Sequence, residues 1–359
     1  MKRKYALQLA LASLISTSSI SLFIAKTQAQ TSNIVPDNTL GAESSQVITN
    51  FQGQQIELIT GGAIRQINLF HSFAEFNISA GREAYFSSPN ADIQNIFARV
   101  TGGNASEIFG KLGTTGSSHP NLFLINPNGI IFGKEASLDV QGAFVGTTAN
   151  GVQFGNQGNF SATNPEPVPL LTIHPSVLFA NRIDQNGNLI NQSQAAAGKN
   201  LLGEEVTGLR VPDGKSLLLV GNNINIDGGS IHANGGNVEL ASLAAPGNVG
   251  LNLAGNQIKL SVPDNVERGN VSLNNAAEIN VRSANGGDIR IYGRDVNLAG
   301  ESKLRAGIEK GLGTPNSQGG NIEINATGTI VRLVGSQVKC SWEVLVMVEI
   351  LISKQESFR

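Results

Sequence analysis

The sequence predicts an all-β chain, a right-handed parallel β-helix (solenoid) with extra-helical β elements near its N-terminus. Composition is the first reason. Of 359 residues only 14% are charged and 5% aromatic, whereas 42 are Gly and 12 Pro. An ordinary globular protein carries roughly 25% charge, so this chain is polar through Asn, Ser, Thr and Gln instead. Long amphipathic helices need Lys and Glu on the wet face, while stacked strands use Gly and Asn at their corners. The second reason is a recurring unit, GG-N/D-I-x-I, in the later half. The third is Asn121 to Ala149, NLFLINPNGIIFGKEASLDVQGAFVGTTA, where two apolar runs flank one tight turn.

Taken in order, residues 1–29 form a tripartite signal peptide: basic Lys2, Arg3 and Lys4, an apolar middle, and the small-residue exit Thr27-Gln28-Ala29. Cleavage is expected between Ala29 and Gln30. The alternative, a membrane anchor, needs ~20 uninterrupted apolar residues, and Ser13, Ser16, Thr17, Ser18 and Ser19 interrupt this stretch.

From Gln30 to about Ala149, short β-like runs alternate with Gly, Asn and Pro: Gln55 to Thr60, Ala63 to Phe70, Ala84 to Phe86 and Ile93 to Val100. In the central stretch, Leu122 to Ile125 is an apolar run and Ile130, Ile131 and Phe132 resume it. Between them Asn126, Pro127, Asn128 and Gly129 read as a corner: Pro127 presets φ, and Asn128-Gly129 tolerates positive φ. The structural reading, a stabilised rung, stands beside the functional one, a recognition motif.

The NPNGI of Asn126 to Ile130 resembles the signature of the secretion domain of filamentous-haemagglutinin-type exoproteins, which leave bacteria by two-partner secretion. IVPDNTLG (Ile34 to Gly41), GGAIRQINLFHSF (Gly61 to Phe73), EFNI (Glu75 to Ile78) and RVTGGNASEIFGKLG (Arg99 to Gly113) fit the same pattern. The resemblance runs from about Ile34 to about Phe179. The family's NPNL motif aligns with Ser88-Pro89-Asn90-Ala91, which keeps Pro89 and Asn90 but lacks the first Asn and the Leu. The resemblance implies a secretion domain over 30–201, recognised unfolded by an outer-membrane β-barrel transporter with periplasmic domains. It also implies an adhesin-type passenger that meets a host-cell, surface or glycan ligand.

Ala149 to Gly203, with Pro165, Pro167 and Pro169 and a polar run from Asn181 to Asn200, reads as an excursion from the stack. Residues 202–337 read as passenger repeats. GGNVEL (Gly235 to Leu240), GGDIRI (Gly286 to Ile291) and GGNIEI (Gly319 to Ile324) are copies of one unit, with RGNVSL (Arg268 to Leu273) a weaker copy. Single rungs cannot bury their apolar face, so they gain stability by stacking, with corner residues such as Asn237 and Asn321 expected in hydrogen-bonded ladders. An antiparallel sandwich does not predict the recurring unit.

Residues 338–359 break the pattern. KCSWEVLVMVEILISKQESFR has no Gly and contains Cys340 and Trp342, the chain's single Cys and Trp. A frameshift accounts for it. One coding string for Glu343 to Phe358, read two bases along, gives SLGNGGNIDIKAREF and restores the unit; Met347 followed by Val348 forces one of its glycines. On this reading the chain is the front of a longer exoprotein, or a non-functional fragment of one. The encoding DNA checks it: the GG-N-I units are expected to continue in the shifted frame.

No catalytic or metal motif is present. His71, His119, His174 and His232 are isolated, and no HExxH, GxSxG, phosphate loop or dinucleotide fingerprint occurs. A net charge of -2 provides no basic field for nucleic acid. The rival function is a polysaccharide lyase or hydrolase on a β-helix. Asp184, Asp213, Asp227, Asp264 and Asp288 recur at no spacing that stacks them on one face. The reading is therefore non-enzymatic, with no cofactor.

Overall fold

The computed structural model describes residues 31–184, 186–254, 257–333, 335–341 and 350–354. The expected signal peptide, the expected cleavage between Ala29 and Gln30 and most of the tail read as aberrant lie outside them.

The chain coils through three stacked faces, as the repeats require. The long sheet takes one strand from each turn: Asn68–Asn77, Asn95–Val100, Asn121–Ile125, Phe144–Thr147, Ser216–Gly221, Asn237–Ser242, Asp288–Gly293, Ile322–Ala326 and Ile350–Lys354, all parallel. A second face runs from Ser106–Ile108 through Ile130–Phe132, Leu189–Asn191, Ile224–Asp227 and Val271–Asn274 to Val296–Leu298 and Ile330–Arg332. A third face has two ladders, ending at Ser137–Asp139 and resuming at Leu209–Arg210. Between them the chain leaves the stack as the antiparallel hairpin Ala196–Lys199/Glu205–Thr207.

Period two sends alternate residues of the long sheet inward. Leu69, Ile96, Leu122, Phe144, Leu217, Val238, Ile289 and Ile322 stack in register down the inside, each at most 1% exposed. The outward column begins Phe70, Phe97, Phe123, Val145, Leu218, passes through Glu239, buried at the edge of what covers it, and continues as Arg290 and Glu323. The change has a cause. A five-stranded antiparallel sheet, ordered Asn159–Ser161, Gly151–Gln153, Val177–Ala180, Gly247–Ala254, Gln257–Ser261, lies over the early rungs. It forms a second core with their outward side chains: Phe70 and Phe97 stack at 5.1 Å, Phe97 and Phe123 at 4.6 Å, and Phe154 meets Phe97 edge-on at 5.1 Å. Strands buried on both faces read as continuous apolar runs, and strands past the cover alternate. At the N-terminus, Asn33–Pro36 and Ser45–Ile48 pair antiparallel with the first turn. These are the extra-helical elements expected there.

The structure changes four local readings. Ala63 to Phe70 is not one strand: Ala63–Arg65 folds back antiparallel on Asn68–Asn77, with Gln66 in the left-handed region at φ 53°. RGNVSL belongs to the second face, since Val271–Asn274 pairs with Ile224–Asp227 and Val296–Leu298. The polar run Asn181 to Asn200 contains a rung strand, Leu189–Asn191, whose Leu189 is 1% exposed. Asn237 and Asn321 do not touch, because Asp288 occupies the rung between them and accepts the Asn321 amide at 3.0 Å. The asparagine ladder forms earlier instead: Asn95 Nδ2 donates to Asn68 Oδ1 at 2.9 Å, and Asn121 Nδ2 to Asn95 Oδ1 at 3.0 Å. Asn68 Nδ2 in turn donates to the Leu171 and Ile173 carbonyls, at 2.8 and 2.7 Å, tying the excursion to the stack.

Candidate functional site

The NPNG tetrad turns the chain from the long sheet into the second face. The Gly129 amide donates to the Asn126 carbonyl at 3.1 Å, closing the turn. Asn126 is completely buried, and its side chain works in both directions. Its Nδ2 donates to the Asn104 carbonyl and to Ser106 Oγ, both at 3.0 Å, and its Oδ1 accepts the Asn128 amide at 3.0 Å. Asn128 Nδ2 reaches the Gly102 carbonyl at 2.6 Å. Both asparagines thus bind the corner of the preceding rung. The following rung closes the other side: Ile130 N–H donates to the Asn188 carbonyl at 3.1 Å. Gly129 has φ 123°, and a Cβ there would lie 3.1 Å from that carbonyl oxygen. Pro127, Gly129 and Ile130 are buried and Asn128 half-buried. Neighbouring rungs therefore cover the corner on both sides.

Ser88, Pro89 and Asn90 sit on a different edge, where the third face turns into the long sheet. Ser88 is buried and its Oγ donates to the Asn90 carbonyl at 3.0 Å; it also meets Ser118 Oγ. Asn90 Oδ1 accepts the Asp92 amide at 3.0 Å. Pro89 and Asn90 are exposed. The two motifs are separate corners and form no common site.

Sequence reasoning passed over the charged knot beside them. Arg99, quoted above only as part of RVTGG, is 1% exposed. Its Nε donates to Ser72 Oγ at 2.9 Å, and its guanidinium donates to Thr39 Oγ1 and the Ser161 carbonyl at 2.9 Å and to the Glu166 carbonyl at 3.0 Å. It also lies 4.3 Å from the centre of the Phe160 ring. One side chain thereby joins the N-terminal strand's loop, the long sheet and the cover. Burial lowers the guanidinium to about 10, opposed by nearby Asp37. Burial would raise the Asp37 carboxyl, but hydrogen bonds from Thr101, Thr39 and Ser72 outweigh it and hold it below the usual range. A lone Arg inside the apolar run Ile96 to Val100 was the available signal.

The carboxylates proposed for the lyase reading stay apart. Asp213 pairs with Arg210, Asp227 accepts from Gln192 and Asn275, and Asp264 is largely exposed. A cavity of about 530 Å³ lined by His119, His174 and Lys215 has no carboxylate in its wall; another of about 500 Å³ has Asp288 alone. Among the described residues no group of His, Cys, Asp and Glu has metal-binding geometry, and no helix is long and apolar enough to cross a membrane.

Comparison with known proteins agrees with this architecture. The family model of the TPS secretion domain matches residues 32–291. Two heme/hemopexin-binding proteins of Haemophilus influenzae are 39% identical, over 84 residues (23% of this chain, 9% of the relative) and over 72 residues (20% and 7%). The crystal structure of the HMW1 secretion domain from Haemophilus influenzae shares the fold at 18% identity and a TM-score of 0.56, covering 87% of this chain and 66% of that one. The chain therefore belongs to the TPS secretion domain family, the export modules of two-partner secretion, and is a protein secreted through the outer membrane to the cell surface or beyond.

Proposed function

We propose that the secretion module directs export by being captured unfolded by a dedicated outer-membrane transporter, a β-barrel with periplasmic recognition domains, and that the Asn126 to Ile130 corner serves the folding that follows. The burial of that corner carries this reading. A partner has no access to Asn126 or Ile130 once the adjacent rungs have stacked, so any direct reading of these residues precedes folding. An extended chain can lend strand edges to such a partner by β-augmentation. We place the module from Gln30, freed by cleavage after Ala29, to at least Ser261 instead of ending it at residue 201. The long sheet and the second face continue past the 201/202 hairpin, pairing Phe144–Thr147 with Ser216–Gly221 and Leu189–Asn191 with Ile224–Asp227, and the cover sheet needs Gly247–Ala254 and Gln257–Ser261. Ser88, Pro89 and Asn90 are assigned a corner role only.

The later rungs are assigned to an adhesin-type, non-enzymatic stalk. The carboxylates that gather on this face, Glu239, Asp288 and Glu323, all pair with Arg290, and Glu239 is buried beneath the cover, whereas a catalytic groove needs carboxylates free to meet a substrate. The ligand class is a host-cell surface, matrix or glycan; a net charge of -2 argues against nucleic acid.

Asn126→Ala tests the corner. It strands the Ser106 hydroxyl and the Asn128 amide in a buried turn and is expected to cost about 2 to 3 kcal/mol. Transporter-dependent release of product beginning at Gln30 should fall in step with the refolding yield of the purified chain. An Asn126→Ala chain that refolds normally but is no longer released would show that the side chain is read directly, and the folding role would be wrong.

A further inference from the structure

The free edge of the cover sheet ends on side chains instead of another strand. Gln257–Ser261 is its terminal strand, and the long sheet takes up that strand's outer backbone groups one by one. Ile258 N–H donates to Ser216 Oγ at 2.9 Å, the Ile258 carbonyl accepts from Asn237 Nδ2 at 2.9 Å, and Leu260 N–H donates to Glu239 Oε2 at 2.8 Å. Capping an edge in this way removes a template for wrong pairing. It also places a carboxylate where water does not reach, since Glu239 is 0% exposed. Burial pushes this carboxyl up, and the contacts from Leu260, Arg290 and Asn237 oppose that.

The cation comes from the next turn of the long sheet, 51 residues further along the chain. Register sets Arg290 directly beside Glu239, and its guanidinium donates to Glu239 Oε1 at 3.0 Å. Asn237 Nδ2 reaches the same oxygen at 3.0 Å. Arg290 is held from its other sides by Asp288 at 2.8 Å and Glu323 at 3.5 Å. A buried carboxylate without its cation is strongly unfavourable. The cover can therefore reach its final, closed arrangement only with the strand Asp288–Gly293 in place.

We infer that Glu239 and Arg290 form the closing latch of the secretion domain, making its completion depend on arrival of the first rung beyond the cover. Arg290 is a positioning residue: it acts on the cover through Glu239. The family match ends at residue 291, one position past this arginine, an independent sign that the module includes the latch. The inference rests on the reading that the chain folds after passage. It adds that the strands Gly247–Ala254 and Gln257–Ser261 stay labile, and open to proteases, until Arg290 has emerged.

Refolding of the purified full chain from urea, followed by pulsed hydrogen exchange, tests the latch without a transporter. In the parent chain the Ile258 and Leu260 amides are expected to gain protection together with Ile289 and after Phe123. In Arg290→Met they should exchange on the order of 100-fold faster, while Phe97 and Phe123 are unchanged. Glu239→Gln combined with Arg290→Met should restore protection, because a neutral amide still accepts from Leu260 and needs no cation. Parent-like protection in Arg290→Met, or a double variant no better than the single one, overturns the latch. Absence of transporter-dependent release in the parent would count against the export reading alone and leave the refolding result standing.

Discussion

Replacing Arg99 by Met is expected to cost the folded chain about 3 to 5 kcal/mol. The substitution removes a guanidinium that reaches four oxygens and a ring. It leaves the Ser161 and Glu166 carbonyls without their donor and Asp37 without its neighbouring positive charge. Arg99→Lys should recover little, because an ammonium cannot span the fork that joins Thr39, Ser161 and Glu166. Urea unfolding monitored by far-UV circular dichroism measures the loss. Stacked repeats couple mainly to nearest neighbours, so exchange at Ile322–Ala326 should not change. A loss spread evenly to that strand would contradict the role of Arg99 as a local tie.

Acid should unfold the chain before its carboxylates titrate, through two buried imidazoles. His71 lies inside the first turn, its Nδ1 3.1 Å from Ser45 Oγ, packed against Phe73 and Phe86, with Nε2 unpartnered. Burial lowers its pKa from 6.5 to about 3. His232, also buried, is lowered for the same reason, partly opposed by Glu278. In both, the unfolded chain binds the proton more readily, so stability is full above pH 6.5 and falls as pH drops below it. For His71 the folding equilibrium should fall about tenfold per pH unit down to about pH 3. Denaturant midpoints between pH 6.5 and 4.5 isolate this effect from most carboxylates, and His71→Gln should remove the steeper part of the slope. An unchanged slope in that variant would mean that other groups drive acid unfolding.

Much of the candidate site was legible because a corner is a local object. Pro127 presets a turn dihedral and Gly129 tolerates one that side chains disfavour, so NPNG between two apolar runs reads as a turn without knowledge of its neighbours. The repeats were legible for a related reason: period two in Ile289 to Ile291 or Ile322 to Ile324 reports which side chains face inward. Gln66 shows the limit. Gly61 and Gly62 announce their positive φ, but nothing in AIRQINLF marks Gln66 as a third such residue, and the hairpin there exists only through the pairing of Ala63–Arg65 back on Asn68–Asn77. RGNVSL shows another, since a strand's face depends on how many residues the corners before it consume.

The sequence by itself determined the all-β class, the stacking unit, the NPNG corner and the family resemblance, all of which are written in spacings of a few residues. Tertiary structure alone decided what lies over the long sheet, because the cover draws strands from Gly151–Gln153 and from Gln257–Ser261, about a hundred residues apart. It also decided that Arg99 and Glu239 are buried charges with assigned partners. Their burial is a property of surfaces brought together after coiling, and no local pattern of apolar and polar residues encodes which rung will stack on which.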